Sequence, residues 1–156
     1  MRVISSAASI VSEQLLGPRC LDWLADSKQT CINAPWFEGP KSTSQSVLRL
    51  SNSANVATGA VNLTLKNIVE GTQATSMTCG SDKLPALSGI LPQGELVIDA
   101  AAAATCFGIF RRGDLTVTVS GQTYGLYPLM RLVSANGAMV SDQSLGRSVP
   151  GLSQGQ

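Results

Sequence analysis

Alternation at a period of two runs through this chain from Ser46 to Leu145, and it leaves room for little but an antiparallel β fold. The segments are Val47–Ser51, Ala60–Ile68, Glu95–Ile98, Asp114–Ser120 and Tyr124–Ser134. In the second, Val61, Leu63 and Leu65 fall on one face, and Asn62, Thr64 and Lys66 on the other. Leu115, Val117 and Val119 repeat the pattern between Asp114 and Ser120. One buried and one wet face is what an antiparallel sheet packed on a core requires. Tyr124–Ser134 differs: Leu126, Met130 and Leu132 oppose Tyr127, Leu129 and Val133, which predicts a central strand covered on both sides. The expected fold is all-β, an antiparallel β-sandwich of Ig-like or jelly-roll-like type with a short N-terminal helix or arm.

Turn chemistry divides these segments. Asn52–Gly59 reads as a hairpin-like connection, and Asn136-Gly137 is the strongest hairpin signal, with Ala138–Leu145 pairing back. Residues 69–92 form a long Gly/Ser/Thr/Pro-rich insertion in which Thr75–Cys79 can be a strand of its own. The run Ala100–Ala104 predicts a short helix with Asp99 as its N-cap. Pro35 and Pro40 fence an entry strand suited to a sheet edge. Near the N-terminus, Val3, Ala7, Ile10 or Val11, and Leu15 fall at helical spacing, up to Gly17-Pro18. That spacing predicts an amphipathic helix packed on its own domain. The other reading is an extended arm that docks on a neighbouring subunit through Val3, Ile4, Ile10 and Val11 by strand addition. The domain plan is therefore an N-terminal arm and Cys-bounded loop over 1–33, a β-sandwich over 34–147 and a polar tail over 148–156.

Composition narrows the function. Charged residues are 13% of the 156, against a usual value of about 25%. The surface must then be covered by Ser, Thr, Asn, Gln and Gly, as on extracellular and virion proteins, or by neighbouring subunits. Net charge is +1 with no basic stripe, so no nucleic-acid footprint is present. Histidine is absent, which removes Ser-His-Asp and Cys-His nucleophile pairs and His-containing zinc sites. Carboxylates are scattered: Asp22 and Asp26 read as a solvated face, and Asp82, Asp99 and Asp142 do not cluster. No catalytic residue, cofactor or metal is expected. No apolar run approaches the ~20 residues of a membrane span. The opening residues 1–11 resemble a signal peptide only weakly, because Ser5, Ser6 and Ser9 break the apolar stretch. Met1 is accordingly read as the start of a chain without an export signal of its own.

The four cysteines, Cys20, Cys31, Cys79 and Cys106, allow three pairings. Local pairing is the economical expectation, Cys20 with Cys31 and Cys79 with Cys106. The spacing lacks the short Cys pair of a zinc site. Buried free thiols are the alternative. Bridges would place the mature protein in an oxidising compartment. Two short motifs read blandly: Asn62-Leu63-Thr64, a glycosylation acceptor sequence, as a polar strand face, and Arg112-Gly113-Asp114, an integrin-type tripeptide, as a turn entering a strand.

The order of segments resembles a β-sandwich module of large bacterial surface and secreted proteins. The resemblance is carried by Val47-Leu48-Arg49-Leu50-Ser51-Asn52, by Leu91 to Asp99 with the alanine run, by Gly113–Val119, and by Leu129 to Gly137. It covers about residues 36–147, and it implies a sandwich without implying a reaction. The chain departs from the module in its added cysteines and N-terminal arm. The functional expectation is a non-catalytic structural subunit of an extracellular assembly: a phage virion decoration, cement or fibre-associated protein at the virion surface. Its partners would be protein neighbours in a homo- or hetero-oligomer. The alternatives are a bacterial surface adhesin or filament subunit, and a carbohydrate-binding module. The last would need Trp36, Tyr124 and Tyr127, together with Trp23, to form an exposed platform for surface glycans.

Overall fold

Two stacked antiparallel sheets account for the alternation. The computed structural model describes residues 2–4, 10–13, 29–67, 75–121, 124–134, 136, 139–144 and 147–148. The strands are β1 (Arg2–Ile4), β2 (Ile10–Glu13), β3 (Gln29–Glu38), β4 (Ser44–Asn52), β5 (Val61–Asn67), β6 (Thr75–Cys79), β7 (Glu95–Ile98), β8 (Arg112–Ser120), β9 (Leu126–Ser134), β10 (Met139–Ser144) and β11 (Arg147–Ser148). One helix, α1 (Ala100–Phe107), lies between β7 and β8. A four-stranded sheet has the order β10-β9-β4-β7 and a five-stranded sheet the order β11-β3-β8-β5-β6. The protein is an all-β antiparallel sandwich.

The core is made by the inward positions of both sheets. Leu48 and Leu50 of β4, Leu126 of β9 and Ile98 of β7 meet Ile32 of β3, Leu63 and Leu65 of β5, and Leu115 and Val117 of β8. Burying each such side chain contributes about 1.5–3 kcal/mol relative to leaving it exposed. Gly113 is required on the inner face of β8: a Cβ there would lie 2.7 Å from Leu65 Cδ1 and 2.8 Å from the Lys66 carbonyl oxygen.

Helix α1 closes one side of the sandwich. It crosses from β7, the edge of the four-stranded sheet, and packs against β6, the edge of the other. The alanine run supplies the propensity and Asp99 the cap, its carboxylate accepting from the Ala102 N–H at 2.9 Å. The helix runs past the alanines to Phe107, because Ala103, Cys106 and Phe107 are buried against the core. The expected bridge Cys79–Cys106 pins this helix to the end of β6. Cys31 is also disulfide-bonded; the Cys20 half of the expected local pair lies outside the described residues.

Several expectations are corrected. Asn52–Gly59 does not join a hairpin: β4 and β5 lie in different sheets, so the segment crosses between layers. The N-terminal residues form no helix over the described positions. β1 and β2 pair antiparallel, with Val3 against Ser12 and Ile4 against Ile10, as suits β-branched Val3, Ile4, Ile10 and Val11. β2 touches β10 of the same chain, so this arm rests on its own domain. The sandwich begins at Gln29 rather than at residue 34, since β3 runs through Cys31. The polar tail contributes β11, whose Arg147 and Ser148 pair with Ile32 and Cys31. β9 is central in its sheet; on its outer face Tyr127 is 62% exposed, while Leu129 and Val133 are half-buried. β9 and β10 pair antiparallel on either side of the Asn136-Gly137 signal, with Met139 in register with Val133; Gly137 itself lies outside the described residues. Asn62 stands exposed on the outer face of β5, in register with Thr118.

Candidate docking site at the loop end

Three connections converge at one end of the sandwich: 53–60 after β4, 80–94 before β7 and, before β9, the described residues 121 and 124–125. Asn52 holds the first two together. It follows Leu48 and Leu50 at the same inward phase of β4 and is 1% exposed. A buried amide must find partners for two N–H groups and a carbonyl. Asn52 Nδ2 donates to the Val56, Leu91 and Ile90 carbonyls at 2.8, 3.1 and 3.3 Å. Its Oδ1 accepts from the Ala54 N–H at 3.0 Å. One side chain thus ties two connections to the strand end.

Neighbouring groups complete the tie. Thr58 Oγ1 accepts from the Ile90 N–H at 2.8 Å, while the Thr58 N–H donates to the Ile90 carbonyl at 3.0 Å. Gln93, at φ 56, donates from its side chain to the Ser53 carbonyl at 2.6 Å and to Asn55 Oδ1 at 3.1 Å. The Ser53 N–H reaches the Gly125 carbonyl at 2.8 Å, which brings in the third connection. Gly125 takes φ 76, a conformation that side chains resist.

On top of this polar frame stand apolar side chains. Val56 is 50% exposed, Leu91 72% and Tyr124 65%, and Tyr127, the second residue of β9, is 62% exposed. The arrangement is a fixed backbone presenting aliphatic and aromatic groups to solvent. Such a surface loses little conformational freedom when a partner covers it. It offers Tyr124 and Tyr127 as amphipathic anchors.

Trp36 is not part of this group. It lies toward the other end of β3, where the register shifts between Ala34 and Phe37, so the expected platform of Trp36 with Tyr124 and Tyr127 is not assembled. Trp23 lies outside the described residues. Trp36 has φ 63, and Arg112 stacks on its ring with Cζ 3.6 Å from the centroid. Asp114 Oδ1 accepts from the Trp36 N–H at 3.2 Å. The Arg112-Gly113-Asp114 tripeptide is therefore built into β8 and its bulged neighbour, not presented on a turn. A left-handed non-Gly residue costs about 1–2 kcal/mol, and the cation–π stack returns about 0.5–1 kcal/mol. Trp36→Gly removes both terms, and we expect urea unfolding to shift by less than about 1 kcal/mol. A loss above about 2 kcal/mol would make Trp36 a structural side chain instead.

Val3, Ile4, Ile10 and Val11 sit on the β1–β2 hairpin, away from the loop end in sequence; the structure pairs them with each other's strand. Among the described residues no group of three or more His, Cys, Asp or Glu is placed to hold a metal ion, and no helix is long and apolar enough to cross a membrane. Asn52, Val56, Leu91 and Gln93 went unnoticed in the sequence. One signal existed: Asn52 occupies the inward phase set by Leu48 and Leu50, where a polar residue must be satisfied by the loops around it.

No protein-family model and no curated protein matches this chain. Among solved structures, the crystal structure of Thermotoga maritima 1070 aligns with 76% of this chain and 92% of that chain, at a TM-score of 0.42 and 6% identity. A likeness at that level carries no functional argument.

Proposed function

We propose that this chain is a non-catalytic structural subunit of an assembly outside the reducing cytosol, of which a virion shell or fibre is the favoured kind. The observation that carries the reading is the loop end, where Asn52 ties two connections and the Ser53–Gly125 bond ties the third, with Val56, Leu91 and Tyr124 exposed on them. A preformed apolar surface on a rigid frame suits a subunit that is held by a neighbouring protein. The buried Cys79–Cys106 bridge supports an oxidising setting. The low charge content, 13%, supports a surface partly covered by neighbours.

The test is site-specific photocrosslinking in the native source. A photoreactive residue at Tyr124 is compared with one at Asn62, on the outer face of the other sheet. We expect the Tyr124 position to yield one discrete adduct with a structural protein of an isolated particle or fibre. Equal labelling from both positions, or recovery of the chain only as free protein, would contradict the role.

A further inference from the structure

The outer face of the four-stranded sheet points to a second use. Residues paired across strands share a face. The registers therefore place Tyr127, Leu129, Arg131 and Val133 of β9 beside Ser51, Arg49, Val47 and Gln45 of β4, with Glu95 and Val97 of β7 completing the rows. Val97 is 40% exposed, and Val47, Leu129 and Val133 are half-buried. The opposite outer face, on the five-stranded sheet, is of another kind. There Asn33, Thr116, Thr64 and Thr78 share a row of registered positions, flanked by Thr118 and Asn62. One sheet thus wears a polar coat, while the other alternates aliphatic groups with charges.

We infer that this outer face of the β10-β9-β4-β7 sheet is the interface of a two-fold dimer with a second copy of this chain. Three features argue for a copy over a different partner. First, the face holds both signs in opposite-charge pairs on adjacent strands. Arg49 Nε lies 3.2 Å from Glu95 Oε2, and Arg131 is in register with Asp142. A face that is neutral and alternating meets its own image without a net like-charge cost, and it offers no field to a strongly charged partner. Second, the size is right. At about 4.8 Å between strands and 3.4 Å per residue, these four strands cover roughly 450 Å² of plane in each copy. Side-chain relief brings the pair to the ~1,000 Å² at which a specific interface becomes stable. Third, a sheet face is self-complementary under a two-fold axis, with the two sheets packing at about 10 Å like the layers of the sandwich itself. The inference stands independently of the loop end, whose exposed Val56, Leu91 and Tyr124 lie on the connections and not on these strands.

Sedimentation of the full chain with its disulfides intact tests it. The wild-type mass should rise from that of the 16.2 kDa chain toward twice that value across the micromolar range. Val97→Lys combined with Leu129→Lys should weaken association by about tenfold or more, because two new like charges meet their own image across the two-fold axis and oppose docking. Both side chains reach solvent in the single chain, so far-UV circular dichroism and the thermal midpoint should stay near wild type. Tyr124→Ala should leave the mass profile unchanged, which separates this face from the loop end. A wild-type chain that remains monomeric throughout overturns the inference without touching the proposed role. So does a charged double variant that associates as the wild type does. If that variant fails to fold, the wild-type mass decides alone.

Discussion

Asn52→Asp should be the most damaging single-atom change in this protein, costing about 3–5 kcal/mol at neutral pH. The substitution keeps the shape and replaces the side-chain NH₂ with oxygen. That oxygen would face the Val56, Ile90 and Leu91 carbonyls, all acceptors, at a position 1% exposed to solvent. The introduced carboxyl can relieve the clash only by taking up a proton. Burial among acceptors raises its pKa above the unfolded value, so its protonated form is the one compatible with the fold. Stability is then fully present below the unfolded pKa and is lost as pH rises through the folded one. The urea midpoint of the variant should therefore climb toward wild type on acidification. Asn52→Ala should cost about 2–4 kcal/mol, since it strands the Ala54 N–H and the carbonyls without adding charge, and it should lack that pH signature. For a domain whose total stability is about 5–15 kcal/mol, either change is a large fraction. A loss under about 1 kcal/mol in both variants would show that water can replace Asn52, and the loop end would not be the rigid frame described.

Removing the Cys79–Cys106 bridge should be nearly as costly. The two cysteines are 27 residues apart, and the entropy of the open chain regained on breaking a loop of that size is worth about 3.5 kcal/mol. For a chain of this length that corresponds to a fall of roughly 10 °C in Tm. The double variant Cys79→Ala/Cys106→Ala, compared with wild type by calorimetry, gives the number. The damage should be uneven. α1 and β6 are joined by this bridge at one edge of the sandwich, whereas β4 and β8 are held by strand neighbours on both sides. Hydrogen exchange should therefore rise first in α1 and β6, while the centres of β4 and β8 keep their protection. A reductant acting on wild type should cost more than the double variant, because it also opens the bridge at Cys31. A Tm within a few degrees of wild type would mean that α1 is held by Ala103 and Phe107 packing alone.

The readings that succeeded rest on local rules. Alternation at Val61, Leu63 and Leu65 or at Leu115, Val117 and Val119 reports a strand with one buried face wherever that strand sits. Thr75–Cys79 was read as a strand with the bounds it has. The alanine run with Asp99 carries its helix and cap in adjacent residues. The Cys79–Cys106 pairing followed from economy of loop closure. The readings that failed needed a partner from far along the chain. The spacing of Val3, Ala7, Ile10 and Leu15 fits a helix. The β-branched residues within it fit a strand equally well, and pairing between β1 and β2 selects the strand. The two apolar faces of β9 suggested burial on both sides; Leu126 and Met130 are buried on one, while on the other Leu129 and Val133 are half-buried and Tyr127 is exposed.

The chain's own letters determine that it makes short half-buried strands, where they turn, where one helix starts, and that no histidine chemistry is available. The third dimension decided which strands share a sheet, so that a segment resembling a hairpin loop became a crossing between layers with Asn52 at its root. The physical reason is reach. Propensity and alternation are properties of neighbours along the chain, while the amide of Asn52 meets Ile90 and Leu91 across 38 and 39 residues, and only packing brings those carbonyls to it.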